Sequence, residues 1–118
     1  MKADLTPFLP LSPPALYILL ALAGEDRHGY GIMQEVARQS GGQFKLGPGT
    51  LYDNLQKLVQ KKMVAEAPHP SADDDPRRRY YRLTPFGRDV LRADIARLET
   101  VVREARGALG RVPSPRRA

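Results

Sequence analysis

The sequence predicts a mainly α domain with one small β-hairpin and a long final helix, and three observations carry the prediction. Apolar residues recur at spacings of three and four in several segments, as on one face of a helix. A turn-rich stretch over residues 68–76 separates two short strand-like runs, which is typical of a hairpin. The chain has 118 residues, so one compact domain with one small core is expected.

The first helix is bounded by ordinary helix signals. Ser12 is an N-cap residue, and it is followed by Pro13 and Pro14, whose missing N–H groups cost nothing in a first turn. Gly24 stands where a C-cap glycine would. The residues between them are apolar all round, which predicts a helix that is covered on several sides.

The second and third helices have one apolar face each. The second runs from about Gly29 to Ser40, and its predicted apolar face is Tyr30, Met33, Val36 and Ala37. The third begins at Pro48, and its apolar stripe is Leu51, Leu55, Leu58 and Val59. The polar side of the third helix carries Thr50, Asp53, Lys57, Gln60 and Lys61, with Tyr52 and Asn54 on the flanks.

The hairpin and the last helix complete the chain. Residues 63–65 and 77–83 are the predicted strands. Alternation sends Arg79, Tyr81 and Leu83 to one face and Arg78, Tyr80 and Arg82 to the other, so the two tyrosines are expected to divide between packing and exposure. Thr84 and Pro85 open the last helix, whose heptad seam is Leu91, Ile95, Leu98, Val102, Ala105 and Leu109.

This order of elements is that of a winged helix-turn-helix, in which the later helix of the pair enters the DNA major groove. The predicted organisation is an N-terminal arm (1–11), a winged helix-turn-helix DNA-binding domain (12–84), a C-terminal dimerisation helix (85–110) and a flexible basic tail (111–118). The formal net charge of +6 suits a polyanionic partner, but charge speaks to association and not to fold.

Composition excludes several classes of chemistry. The chain has no cysteine, which rules out disulfides, thiolate metal sites and cysteine nucleophiles. Only His28 and His69 remain as imidazole ligands, so no metal and no cofactor are predicted, and His28 is expected to cap or pack at the second helix. No motif typical of an enzyme appears. The apolar run over residues 15–23 is far shorter than the ~18 residues that span a bilayer, so a cytoplasmic protein is expected.

Three motifs in this order resemble the PadR family of transcriptional regulators over roughly residues 12 to 90. They are His28-Gly29-Tyr30, then Gly47-Pro48-Gly49-Thr50-Leu51-Tyr52 with Leu55 and Leu58, then Arg78-Arg79-Tyr80-Tyr81-Arg82-Leu83-Thr84 with Gly87. The resemblance implies a dimeric winged-helix repressor that binds palindromic operator DNA and is often released by a small ligand. The single C-terminal helix resembles the compact branch of the family. Asp53 and the run Asp73-Asp74-Asp75 depart from it by placing negative charge on the DNA-binding side.

The candidate DNA-binding residues lie in the third helix, the link before it and the second strand. First-turn N–H groups of a helix can face a phosphate, Asn pairs with adenine, and Lys and Arg contact the backbone or a narrow minor groove. The candidates are Lys45, Pro48, Gly49, Thr50, Tyr52, Asn54, Lys57, Lys61, Arg77, Arg78 and Arg79. Alternatives stay open: Tyr52 as a half-buried core aromatic, Asn54 as an ordinary surface residue, and the arginines as a solvated run that the neighbouring aspartates neutralise.

The last helix carries more apolar surface than one small domain need cover. Pairing it with the first helix across a two-fold axis would form a dimer and set two recognition helices about 34 Å apart, one turn of DNA. The candidate dimerisation residues are Leu16, Leu20, Leu91, Ile95, Leu98, Val102 and Ala105. The alternative is a monomer whose last helix folds back on its own core.

Two further expectations concern partners. A small-molecule effector, if it has a pocket, would sit between the first and last helices at the dimer interface, with Phe8 and Tyr17 as ligand residues beside Leu16, Leu20, Leu98 or Val102; plain packing is the alternative. The acidic residues also keep open a different function, a winged-helix protein-protein interaction module without specific DNA binding.

Overall fold

The computed structural model describes residues 4–110, so the predicted basic tail lies outside the described residues. Over that range the helices are α1 (Pro13–Ala23), α2 (Gly29–Gln39), α3 (Pro48–Gln60) and α4 (Pro85–Gly110). The strands are β1 (Arg27–His28), β2 (Val64–Ala67) and β3 (Tyr80–Leu83), and a single 3-10 turn (Thr6–Phe8) precedes α1. The predicted mainly α fold with a small β component is confirmed.

Helix α1 is the centre of the domain. The Ser12 hydroxyl accepts a hydrogen bond from the Ala15 N–H at 3.3 Å, which is the predicted N-cap. Ile18, Leu19 and Ala21 are fully buried, because α1 packs against α2, α3, α4 and β3. The apolar sequence of this helix is therefore explained by neighbours on several sides, although Leu16 and Leu20 stay half-buried.

Helix α2 begins at the predicted cap but buries a different face. The His28 Nδ1 atom accepts a hydrogen bond from the Gly31 N–H at 2.9 Å, as expected of a capping residue. Ile32 and Val36 are fully buried, whereas Tyr30 is 63% exposed. The prediction that Tyr30 belongs to the apolar face is wrong, because Tyr30 lies about 200° around the helix from Ile32.

The sheet has three strands, in the order β1-β3-β2, and all its pairs are antiparallel. Strand β1 was missed, because two residues carry no periodicity. Strand β3 begins at Tyr80, so residues 77–79 precede it instead of forming its first half. Tyr80 and Tyr81 are both buried, at 9% and 7% exposure, and the expected division between them is wrong. Tyr81 belongs to the hydrophobic core, whereas Tyr80 packs against the rings of His28 and His69.

Helix α4 divides into a packed half and a projecting half. The Thr84 hydroxyl accepts from the Gly87 N–H at 2.9 Å, which is the predicted cap before the proline at position 85. Val90, Leu91 and Asp94 are buried, but every residue from Glu99 to Gly110 is exposed. The projecting half accounts for the elongated shape of the described chain, whose longest dimension is 68 Å.

Gly87 is where α4 meets the end of the segment that follows α3, and it allows a specific prediction. A Cβ at this position would collide with the Met63 carbonyl oxygen and lie 2.9 Å from its carbon, and backbone cannot rotate away as a side chain can. We expect Gly87→Ala to lower the free energy of unfolding by about 2 kcal/mol or more, as overpacking does. Urea unfolding measures this, with Gly107→Ala as the control, since a Cβ there meets nothing within 4 Å.

Glu35 gives the fold a pH dependence of known sign. Its carboxylate accepts two hydrogen bonds from Arg38, at 2.9 and 2.7 Å, and Arg27 lies 3.7 Å away. The Arg38 guanidinium holds the pKa of Glu35 below its ordinary value of 4.5. A lowered pKa stabilises the fold above that ordinary value, and the contribution is lost as the pH falls below it.

We therefore expect Glu35→Gln to destabilise the protein at neutral pH and to matter less in acid. Urea unfolding of both proteins at a series of pH values between about 6 and about 3 measures this. The difference between their free energies of unfolding should become smaller as the pH falls. A difference that stays constant over this range would contradict the stabilising role of the ionised Glu35 side chain.

Candidate nucleic-acid interface

The exposed side of α3 matches the predicted polar face. Leu51, Leu55 and Leu58 are buried, and on the other side Thr50, Tyr52, Asp53, Lys57, Gln60 and Lys61 are exposed. Val59 was predicted to join the apolar stripe but is 39% exposed. Gly47 occupies the N-cap position and Pro48 the first turn, so the first-turn N–H groups have no side-chain cap from Gly47. This end of α3 is open to an anion.

Tyr52 connects the start of α3 to the start of α2. It is 49% exposed, and its ring lies directly over Gly29, where a Cβ would collide with the hydroxyl and lie 2.8 Å from Cζ. This packing fits the interpretation of Tyr52 as a half-buried aromatic, and its interpretation as a DNA-binding residue stays a prediction. Sequence reasoning did not connect Gly29 with Tyr52, since the contact joins separate helices.

An open cleft of about 450 Å³ lies where α2, α3 and the residues before β3 converge. Its lining residues are His28, Gly29, Tyr30, Tyr52, Arg77, Arg78 and Arg79. A second cleft of about 380 Å³ shares Tyr52 and Arg79 with the first and continues along α3 past Gln56 and Gln60. Tyr52 and Arg79 thus stand between the two clefts. Tyr30 also belongs to the candidate surface. Sequence periodicity predicted it on the apolar face, and only its exposure in the structure shows that it lines the cleft.

The three arginines of this surface differ in what they contact. Arg77 donates to both oxygens of Asp75 at 3.2 Å, and its hydrogen bonds hold the pKa of Asp75 below the ordinary value. Arg78 pairs with Asp74 at 3.2 Å. Arg79 is exposed and makes no ion pair with any residue in the range 4–110. The expectation that neighbouring aspartates neutralise part of this run applies to two of the three arginines.

The candidate residues of α3 and the preceding link are also placed unequally. Lys57 pairs with Asp53 at 3.3 Å, whereas Lys61 has no ion pair within the described part of the chain. The Asn54 side-chain amide donates to the Thr50 carbonyl at 2.8 Å, so it must leave that partner to reach a base. Lys45, Pro48 and Gly49 are exposed on the approach to the helix.

The structure separates the two predicted ligand residues. Phe8 packs edge-on against Phe86 at 5.2 Å, and Tyr17 stacks on Phe44 at 4.8 Å between ring centres. Phe8 lines a cavity of about 270 Å³ between the N-terminal arm and α3. The residues of this cavity are Phe8, Pro10, Leu11, Ser12, Ala15, Asn54, Lys57, Leu58, Lys61 and Met63. The effector pocket between the first and last helices stays a prediction.

The candidate dimerisation residues fall into two groups. Leu91 is buried in the chain's own core, and Leu16 and Leu20 are half-buried. Ile95, Leu98 and Val102 instead line an open apolar groove on α4, and Val102 is 47% exposed. The rim of this groove is Glu99, Arg103 and Arg106, and Ala105 is exposed farther along the helix.

Two structural findings concern other kinds of site. Among residues 4–110, no group of three or more His, Asp or Glu side chains is arranged to hold a metal ion. Within the same range, none of the helices has the length and apolar character that crossing a bilayer requires.

Comparisons with known proteins identify the family of this chain. The family model of the Transcriptional regulator PadR-like family matches residues 18–93. The chain is 35% identical over 92 residues to transcriptional regulator Rv3488 of Mycobacterium tuberculosis (strain ATCC 25618 / H37Rv), which covers 78% of this chain and 81% of that protein.

Solved structures share the fold. A PadR family transcription regulator from Clostridium difficile R20291 has a TM-score of 0.68 at 24% identity, over 83% of this chain and 99% of that one. Bacillus subtilis PadR in complex with operator DNA has a TM-score of 0.60 at 20% identity, over 71% of this chain and 47% of that one. These likenesses confirm the winged-helix architecture. The family match confirms the predicted resemblance and the prediction that the chain is not an enzyme, so the chain belongs to the PadR-like family of transcriptional regulators.

Proposed function

We propose that the protein is a cytoplasmic, homodimeric repressor that binds a palindromic operator through α3 and the arginines before β3. The observation that carries the proposal is the convergence of α2, α3 and these arginines on one surface, with Tyr52 and Arg79 at its centre. The same surface includes the open N-terminus of α3, where backbone N–H groups and the helix dipole favour a phosphate.

The roles follow from position on α3. Thr50, Tyr52 and Asn54 lie in its first turns, the part of a recognition helix that reaches base edges. Lys61 stands at the far end on the same exposed side, where it suits the DNA backbone. Arg79 reaches the duplex from the wing, which is the segment from β2 to β3 that follows α3 in the chain.

The dimer in this proposal is formed through the apolar groove on α4. The projecting half of that helix is uncovered in the described chain, and a two-fold axis would bring Leu98 and Val102 of one copy against the same residues of another. Two recognition helices would then read two half-sites. Release by a small-molecule effector is part of the proposal on the strength of the family resemblance.

A second candidate function, a protein-protein interaction module, is favoured by the acidic residues that pair with the interface cations. It differs from the first in its response to DNA. A DNA-binding regulator should protect a two-fold symmetric segment of the region upstream of its own gene from nuclease cleavage, whereas an interaction module should protect none.

The binding test uses this upstream fragment and a scrambled duplex of equal length at two salt concentrations. We expect the protected fragment to be retained in the presence of scrambled competitor, and its affinity to fall steeply with salt through counterion release. Equal binding to both duplexes would overturn sequence-specific recognition.

A further inference from the structure

The interface carries carboxylates that the DNA-binding role leaves unexplained. Each lies beside a cation that the proposal assigns to the DNA-binding surface: Asp53 beside Lys57, Asp74 beside Arg78 and Asp75 beside Arg77. The partners are at most four residues apart in sequence, so each pair exists before any DNA arrives.

Two of these pairs are open to solvent. The Arg77 side chain is 89% exposed and that of Asp75 is 35% exposed, although the guanidinium meets both carboxylate oxygens. Lys57 and Asp53 are both 62% exposed. Exposed pairs of this kind contribute little to stability, because water competes for both partners. A phosphate can therefore take the place of either carboxylate.

The third pair is built differently. The Asp74 side chain is only 11% exposed, and its Oδ1 atom accepts from the Tyr80 hydroxyl at 2.9 Å as well as from Arg78. The Tyr80 ring makes edge contacts with the rings of His28 and His69, whose centres are 5.3 and 5.6 Å away. Several packed groups thus hold this carboxylate in place.

We propose that Asp53 and Asp75 are intramolecular counter-ions, which a DNA phosphate must displace before Lys57 or Arg77 can contact the backbone. Asp74 is instead the permanent partner of Arg78 and fixes the shape of the wing. This inference rests on the proposed DNA-binding function and assigns a role to the acidic residues that depart from the family pattern.

The consequence is a graded interface. Lys61 and Arg79 have no ion pair in the described range and supply the first attraction for DNA. The paired cations add less, because each phosphate contact replaces an existing contact and leaves a carboxylate beside the duplex. The affinity for any DNA is then lower than the number of basic residues suggests. Asp53 and Asp75 determine the size of this reduction.

The experiment neutralises these carboxylates one at a time in the full-length protein. Asp75→Asn keeps one oxygen that can accept from the Arg77 backbone N–H, as Asp75 does at 2.9 Å, and replaces the charged carboxylate by a neutral amide of similar shape. We expect Asp75→Asn and Asp53→Asn each to raise affinity for the upstream fragment and the scrambled duplex about 2- to 5-fold, the range of an exposed ion pair. The slope of log K against log salt should steepen by up to about 0.9 per variant.

Asp89→Asn is the matched control. Asp89 pairs with Arg92 at 3.8 Å on α4, and both side chains are exposed, so this variant makes the same change in net charge away from the interface. It should leave affinity and salt slope unchanged. Asp74→Asn should give no gain in affinity, because Asp74 is only 11% exposed and holds Arg78 in the wing, so no phosphate has to displace it.

The outcomes distinguish failure of the counter-ion role from failure of the proposed DNA-binding function. If the wild type binds DNA, and Asp75→Asn and Asp53→Asn have the same affinity and salt slope as the wild type, the counter-ion role is overturned and the proposed function stands. An equal gain from Asp89→Asn would assign the effect to net charge and also overturn it. A gain from Asp74→Asn as large as that from Asp75→Asn would overturn the distinction between the pairs. A wild type that binds no duplex at low salt would defeat both proposals.

Discussion

A Val102→Glu variant is expected to be a monomer that retains its fold and loses most of its operator affinity. Val102 is 47% exposed in the apolar groove on α4, so the substitution costs the single chain little. In the proposed dimer the two-fold axis places two added carboxylates in one apolar interface, and burying a charge without a partner costs several kcal/mol. The dissociation constant of the dimer should rise by about 100-fold or more.

Val101→Glu is the control for this prediction. Val101 is 51% exposed on the same projecting half of α4 but does not line the groove. Sedimentation equilibrium over a range of protein concentrations measures the dimer, and binding to the upstream fragment measures the consequence for DNA. Dimers of Val102→Glu with wild-type affinity would show that α4 does not form the interface.

Reversing the charge of Lys61 or Arg79 should weaken DNA binding strongly while the protein stays folded. Lys61 and Arg79 are exposed and carry no ion pair within residues 4–110, so Lys61→Glu and Arg79→Glu break no internal contact of that kind. Each reversal replaces an attraction for a phosphate by a repulsion. We expect about 10- to 100-fold weaker binding for each variant and a salt slope smaller by about 1.

Arg92→Glu is the control for charge reversal. Its side chain is 72% exposed on α4, it makes the same change in net charge, and it should bind DNA nearly as the wild type does. Fluorescence anisotropy with a labelled upstream fragment measures all three variants, and thermal unfolding checks that each is folded. If Lys61→Glu and Arg79→Glu bind with wild-type affinity and slope, the α3 surface is not the DNA contact and the interaction-module alternative gains.

The helices were predictable because the signals that bound them are local. Ser12, His28 and Thr84 accept hydrogen bonds from N–H groups three residues ahead, so each cap is encoded within one turn of chain. The leucines of α3 repeat at helical spacing, and one period decides which side is buried. The order of elements and the three family motifs then predicted the winged helix-turn-helix.

The sequence predicted which residues form the candidate interface, but it did not predict which of them are paired or exposed. Arg77, Arg78 and Arg79 form one run in the sequence, yet Arg77 pairs with Asp75, Arg78 pairs with the less exposed Asp74, and Arg79 makes no ion pair in the described range. Tyr30 was predicted on the apolar face from its spacing with Met33 and Ala37, and it lies on the open cleft instead. Spacing alone predicted the wrong buried face for α2, because its apolar residues can be assigned to more than one face of the helix.

The amino-acid sequence by itself determined where the helices begin, which residues of α3 face away from the core, and the family to which the chain belongs. Only the tertiary structure decided that β1 joins the sheet, that Tyr80 and Tyr81 are both buried, and that Tyr52 packs on Gly29. The physical reason is range. Caps and helical stripes are interactions over three or four residues, whereas burial and ion pairing depend on which distant segments fold onto the same place.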